Sequence, residues 1–550
     1  MRSRSTGVLA TVIALTLGLA ACGGEEEKKS AEGGAGGKTG GTIKGAHASF
    51  PDFLDPALSY TVDGWAALHM VNPGLVTFKS AEGQAASEVV PGLARDMPKI
   101  SPDAKTYDFQ LRDGLKFSDG SPLRASDFKA SIERILEQDS QGAGLGYTNI
   151  EGAEEFLKSK RGGIDGIEAD DETGKITIKL VEPRGSFLYE LAIPFAGVVP
   201  KDTPAKNQTK DPAPGAGRYM FEDVRVGRGY SLVKNPNFSE ALKGTDVDSG
   251  KPERIDMTIE NEGNSVTQIA QNKLDFMIDN PPADRASELK SRYAERFRQF
   301  PTPSSFYFFM NSSVAPFDKL EVRQAVNHAI DPEAINRVQG GVITPANTII
   351  PPGVPGYEKS ADLYPYDLDK AKQLIQQAGA EGEKVTVWGN PENPTKQTVE
   401  YYADLLNSIG LDAKTKIVPG ETYFTSVGDR SVKAQTGWGN WFQDYPHPAN
   451  FIDVLLNPNN VVSTGNNNYS YNADDKELAE RIEALNGEPE LTPEVTKRWT
   501  EVDKEIQQKA YWAIYGNRKQ TTFFSERMDF ENCRGEGVTY THDWALFCLK

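Results

Sequence analysis

The segment from 385 to 418 restricts the fold more than any other. Residues 385–388 carry Val385, Val387 and Trp388 in a strand pattern, 399–409 read as a helix stopped by Gly410, and 413–418 read as a second strand. Two strands joined by a helical crossover run parallel, so part of the chain must be a mixed α/β lobe with helices covering a sheet. Similar patterns recur elsewhere. Tyr107, Phe109 and Leu111 alternate as a strand, turn residues follow at Asp113-Gly114 and Asp119-Gly120, and Phe128, Ile132, Ile135 and Leu136 mark one face of a helix that Ser126 is placed to cap. Ile176, Ile178 and Leu180 alternate as a further strand. Helix faces are also legible in Val322, Ala325, Val326, Ala329 and Ile330, in Leu368, Ala371, Leu374, Ile375 and Ala378 before Gly379, and in Val495, Trp499, Val502 and Ile506. Residues 42–49 begin as a strand, and 50–64 read as loop near a strand end. Nothing repeats at a solenoid period, and 550 residues suffice for two to four domains at roughly 150 residues each.

The amino-terminal part is of a different kind. Arg2 and Arg4 precede an apolar run over 8–21 that is too short to cross a bilayer as a helix, so 1–21 reads as a secretory signal. Its end, Leu19-Ala20-Ala21-Cys22-Gly23, resembles the bacterial lipobox, which makes Cys22 the expected lipidated first residue of the mature chain and the membrane its anchor. Residues 22–41, rich in glycine and charge, read as a flexible tether. Gly36-Gly37-Lys38-Thr39 has the look of a phosphate loop, but Glu32 stands where the first glycine belongs and no apolar strand precedes it. With Cys22 assigned to lipid, Cys533 and Cys548 remain, fifteen residues apart in an exported chain, which favours a disulfide. Two free buried thiols are the alternative, and a zinc site lacks any CxxC pair. The formal charge of -18 argues against nucleic acid and anionic membrane surfaces as partners.

The densest candidate site lies in 438–455, WGNWFQDYPHPANFIDVL, where Trp438, Trp441, Phe442, Tyr445 and Phe451 surround one acid, Asp444. Aromatics can wall a cleft, and a carboxylate among them is costly unless a cation or several hydrogen bonds meet it. A ligand ammonium would be such a cation. On composition alone the aromatics read first as ordinary core and Asp444 as a turn residue, since Tyr-Pro-His-Pro breaks helix and sheet alike.

The residues at 106–136, TYDFQLRDGLKFSDGSPLRASDFKASIERIL, resemble the signature of the extracytoplasmic solute-binding proteins that serve peptide and nickel ABC importers (family 5), nearly residue for residue. Further blocks are similar and in order: Pro214 to Tyr219 with Asn235-Pro236-Asn237-Phe238, Met310-Asn311 through Pro316-Phe317 to Ile330-Asp331, and Asp444-Tyr445-Pro446-His447-Pro448. The resemblance implies a two-lobed, type II periplasmic-binding fold of α/β class with an inserted domain and a cleft between lobes. Transferred here, lobe I would comprise 42–75, 195–301 and 511–550, the insertion 76–194, and lobe II 302–510, with hinged crossings near 301 and 510. It implies a monomer that hands an oligopeptide to ABC transporter permease subunits outside the cytoplasm, and it requires no cofactor.

In peptide binders that it resembles, the acid of this segment meets the ligand amine and the preceding backbone pairs with the extended peptide. That assigns Asp444 to the amine, Asn440, Trp441, Phe442 and Tyr445 to backbone and pocket contacts, and Tyr60 and Val62 to the facing loop. Core packing is the competing role for Trp441, Phe442 and Tyr60. His447 stands between the prolines where the family often has Asp. The family also includes binders of nickel chelates, haem and sugars, so another small solute is the alternative ligand. A secreted hydrolase is the enzymatic alternative, but the five histidines, at 47, 69, 328, 447 and 542, form no HExxH, and no GxSxG occurs.

Overall fold

The computed structural model describes residues 39–359, 363–533, 535 and 542–550. The secretory signal, Cys22 and most of the tether lie outside the described residues.

Two large sheets organise the rest. The first has five strands in the order Phe276–Met277, Thr42–His47, Arg254–Ile259, Gly229–Lys234, Tyr219–Arg225. Thr42–His47 runs parallel to both of its neighbours, with Ile43 opposite Ile255 and Gly45 opposite Met257 and Phe276. Gly45 is fixed by that closeness: a Cβ there would stand 2.4 Å from the Phe276 ring and 2.5 Å from the Met257 sulfur. The core against this sheet draws Trp544 and Phe547 from the far end of the chain onto Ile43, Leu232 and Phe276.

The second sheet has the order Phe297–Pro301, Trp512–Phe523, Ser304–Met310, Thr436–Phe442, Lys384–Gly389, Asp412–Ile417, and Ile343–Thr344 also pairs with Trp512–Phe523. The parallel pair read from the sequence is present, with Val385 opposite Ala413 and Val387 opposite Thr415, and the helix Thr395–Ser408 crosses between them. Ser304–Met310 is buried at every position, which explains why its sequence, SSFYFFM, shows no alternation to find.

Two smaller sheets lie in 76–194. Val76–Phe78 pairs with Val89–Pro91, and a four-stranded sheet sets Tyr107 opposite Ile178 and Phe109 opposite Ile176. The helix Ala125–Glu137 starts one residue before Ser126. Asp127 accepts the Arg124 N–H at 2.7 Å and so closes the helix start, while Ser126 sits in the first turn and donates to Asp171 at 2.9 Å. From this helix Arg134 reaches Asp55 with two bonds of 2.6 Å, a bidentate pair with side chains 4% and 0% exposed.

Between the large sheets the chain crosses as two paired strands. Phe297–Pro301 lies antiparallel to residues 519–523, with Phe297 opposite Phe523. Both phenylalanines pack with Ala46, Val266 and Ile269 on the first sheet's side. The second crossing is therefore later than the expected 510. Trp512, Ala513, Ile514 and Gly516 pair with Ser304–Met310, and residues 512–515 are buried in the second core. The end of the helix Pro493–Lys509 coincides with a change of pattern, but the strand after it still belongs to the second lobe. Cys533 and Cys548 are joined, with their Cα atoms 5.6 Å apart.

Candidate ligand site

The site grows from one edge of the second sheet. Thr436–Phe442 pairs along its full length with Ser304–Met310. Just beyond the two ends, the Gln443 N–H donates to the Pro303 carbonyl at 3.0 Å and the Asn311 N–H to the Gln435 carbonyl at 2.9 Å. Hydrogen bonding alternates along antiparallel strands, so the odd-numbered residues point at this partner and the even-numbered ones at the opposite edge. On that opposite edge Lys384–Gly389 covers only Thr436 and Gly437, and the Tyr423 hydroxyl donates to the Trp438 carbonyl at 2.6 Å. No strand among the described residues covers the edge at Asn440 and Phe442.

The strand ends in a turn held by Asn450. Its Oδ1 accepts from the Asp444 N–H at 2.9 Å and from Trp441 Nε1 at 3.2 Å, while its Nδ2 donates to Asp444 Oδ2 at 2.9 Å. Pro446 and Pro448 keep the segment from continuing as strand. His447 accepts the Ala449 N–H at 3.1 Å and lies buried between Tyr189 and Trp499, ring centroids 5.1 and 6.0 Å away. Burial holds its imidazole neutral, with a pKa lowered to about 3.

Tyr60 comes to this turn from the loop before the helix Val62–Val71, and its hydroxyl is near enough to the Asp444 carboxylate to favour the charged acid. Its ring is fixed by Trp65 and Phe195, at 5.7 and 5.6 Å, and its N–H donates to Asp52 at 2.6 Å. Asp444 is 8% exposed. Burial raises its pKa to about 6, against the lowering effect of the Asn450 and Tyr60 bonds, and Glu190 adds to the rise. An acid held this way is a strong receiver for a cation that enters the cleft.

Asp444, Trp441 and Tyr60 are thus brought together, with Asn440 on the open edge beside them. Phe442 is 42% exposed and stands edge-on to Phe306 at 5.7 Å, at the mouth rather than in the core. Tyr445 departs from its expected role: it is 1% exposed and packs in a core drawn mostly from residues 75–198, beside Ser186, Arg184 and Glu190. Tyr445 packs instead into the cluster that Tyr60 also touches. Val62 lies not on a loop but at the first position of a helix that Thr61 caps, and it is half-buried. Asn450 and Glu190 escape a reading of the sequence, since an asparagine six residues from an acid, or a glutamate on a distant helix, carries no local signature.

Two lobes joined by a double crossover, with an acid and an uncovered strand edge facing a loop of the opposite lobe, define a type II periplasmic-binding architecture. Solved structures agree: the clavulanic acid biosynthesis oligopeptide binding protein 2 superposes with a TM-score of 0.80 at 21% identity, over 89% of this chain and 92% of that one. The periplasmic binding protein DppA from Helicobacter pylori, in complex with peptide STSA, gives a TM-score of 0.70 at 21% identity over 93% and 98%. Residues 88–463 match the family "Bacterial extracellular solute-binding proteins, family 5 Middle", and the chain belongs to that family. Its relatives include the probable D,D-dipeptide-binding periplasmic protein DdpA of Escherichia coli, 26% identical over 81% of this chain and 83% of the relative. Heme-binding protein A of Haemophilus influenzae is 26% identical over 87% and 88%.

Proposed function

We propose that this protein captures peptides with a free amino terminus in the cleft between its lobes and delivers them to the permease of an ABC importer. The observation that carries this reading is the Asp444 carboxylate, buried at the end of a strand whose neighbouring edge is uncovered. An extended peptide can add to the edge at Asn440 and Phe442 through main-chain bonds, which are indifferent to its sequence, while its ammonium meets Asp444. Tyr60, from the facing lobe, completes the enclosure. The two strands crossing between lobes act as the hinge. Cys22 holds the mature chain to the outer face of the membrane through lipid, and 22–41 gives it reach. The protein acts as a monomer and performs no catalysis.

Mass spectrometry of small molecules released on denaturing the purified protein tests the ligand class. Peptides are the expected cargo. Recovery of only haem, sugar or a metal chelate, with no calorimetric binding of added peptides, would replace peptide by another solute.

A further inference from the structure

A second acidic locus lies on the first lobe, where the carboxyl ends of the parallel strands Thr42–His47 and Phe276–Met277 meet the start of the helix Val62–Val71. Ligands of open α/β sheets sit outside such strand ends. Three carboxyl groups gather there. Asp279 accepts the Ala48 N–H at 2.6 Å; Asp52 accepts the Tyr60 N–H at 2.6 Å and the Ser59 and Thr61 hydroxyls, both at 2.8 Å. Asp63 is the third, and burial together with its two acidic neighbours pushes it up to about 7.

Among the described residues no lysine or arginine nitrogen comes within 4.0 Å of any of the three. The nearest nitrogen that could carry charge is Nδ1 of His47, 3.9 Å from Asp63 Oδ2. His47 is 1% exposed, its Nε2 is 3.0 Å from the Tyr230 hydroxyl, and its Nδ1 has no hydrogen-bond partner. Burial keeps that ring neutral, so it does not balance the acids. The cluster therefore holds acid without a counter-cation, and an orphaned imidazole nitrogen aimed at the acid that is still 31% exposed. A buried polar atom left this way beside uncompensated acids calls for a partner. Tyr60 ties the locus to the amine site, with its N–H on Asp52 and its hydroxyl near the Asp444 carboxylate.

We propose that Asp63, with Asp279 and Asp52 beside it and His47 Nδ1 behind, is a second cation-recognising subsite that takes the ammonium or guanidinium of a lysine or arginine side chain of the bound peptide. This subsite rests on the reading that the ligand is a peptide with its amine at Asp444. The charged group bonds the Asp63 carboxylate, and its positive charge offsets the three acids gathered there. The protein thereby prefers peptides with a basic residue downstream of the free amine.

Calorimetry of the full chain tests this with tetra-alanine and its variants carrying lysine or uncharged norleucine at position two, three or four. At one of these positions lysine is expected to bind at least about tenfold tighter than norleucine, and Asp63→Asn to reduce that ratio to within about twofold of one. Asp279→Asn, a milder change, is expected to reduce it in part, and thermal melting of both variants establishes that they fold. Peptides that bind with no lysine preference, or a preference that survives Asp63→Asn in a folded variant, overturn the subsite and leave the peptide reading standing. If no peptide binds at all, both fall. A nickel(II) titration separates the remaining chemistry: heat that depends on Asp63, in the absence of a lysine preference, assigns the cluster to a metal and overturns the proposal.

Discussion

Replacing Asp444 by asparagine removes one charge from a site with little water. The parent carboxylate, 8% exposed, keeps an Asn450 donor at 2.9 Å and the Tyr60 hydroxyl, and has capacity for an ammonium besides. A charge-assisted hydrogen bond contributes about 1.5–3 kcal/mol, so the variant should bind a free-amine peptide about 10- to 150-fold more weakly. Acetylating the peptide removes the same interaction from the other side. Calorimetry on parent and variant with free and acetylated peptide should therefore show one loss, not two, and the double change should cost little more than either alone. The pH dependence sharpens the test. With the acid raised to about 6, affinity is fully present above that value and falls as the pH drops through it, by about tenfold near pH 5. The peptide amine, with an ordinary pKa of about 7.7–8.0, sets the upper limit, so affinity should peak between about pH 6 and 8. The acetylated peptide should give a flat profile. If acetylation and the substitution each cost their full amount independently, or the acid limb persists in Asp444→Asn, the carboxylate does not hold the amine.

Other outcomes can be stated more briefly. The raised acid costs the unliganded fold stability above about pH 6, a cost removed as protonation proceeds towards pH 4; the melting temperature of Asp444→Asn relative to the parent should therefore be higher at pH 7 than at pH 4. Arg134→Ala strands Asp55 with no exposure and should destabilise by about 3–5 kcal/mol in denaturant titrations, far beyond the loss of an exposed pair. Cys548→Ser opens a loop of 15 residues and should cost roughly 3 kcal/mol by the same assay, while the unfolded, unreduced parent should show no reactive thiol from Cys533 or Cys548. Small-angle scattering should show a smaller radius of gyration with peptide bound, and no change at saturation would count against hinge closure. Cells expressing Cys22→Ser should release the protein from the membrane fraction; retention equal to the parent would rule out the lipid anchor.

Much of this arrangement is legible in the chain itself. The crossover at 385–418, the alternating strand at Tyr107 and the helix faces carry the period of their environment, so pattern and structure coincide there. The acid at 444 stands out because a lone carboxylate among aromatics must be answered by something. What stays hidden has physical causes. Ser304–Met310 is buried on both faces and has no polar side to betray its pleat. The second crossing falls later than 510 because a helix end is easily seen, whereas a strand whose far end packs against another core changes neither composition nor period. Tyr445 shares every local property of its neighbours and differs in being buried among residues distant in sequence. Asn450 and the cluster around Asp63 depend on contacts between distant segments, which no local pattern encodes.

The late arrival of Trp544 and Phe547 in the core around Ile43 has a consequence for the order of events in the cell. The strand Thr42–His47 leaves the ribosome some five hundred residues before the rings that cover it, so that lobe cannot mature while its own beginning is being made. Until then its apolar face is available to a chaperone, and a chain in this condition is well suited to be threaded outward while still loose. The second lobe closes sooner after its own beginning, since its last strand, Trp512–Phe523, follows Ser304–Met310 by some two hundred residues. Messages cut short between residues 523 and 544 would accordingly yield a chain with one finished half and one that proteases can open.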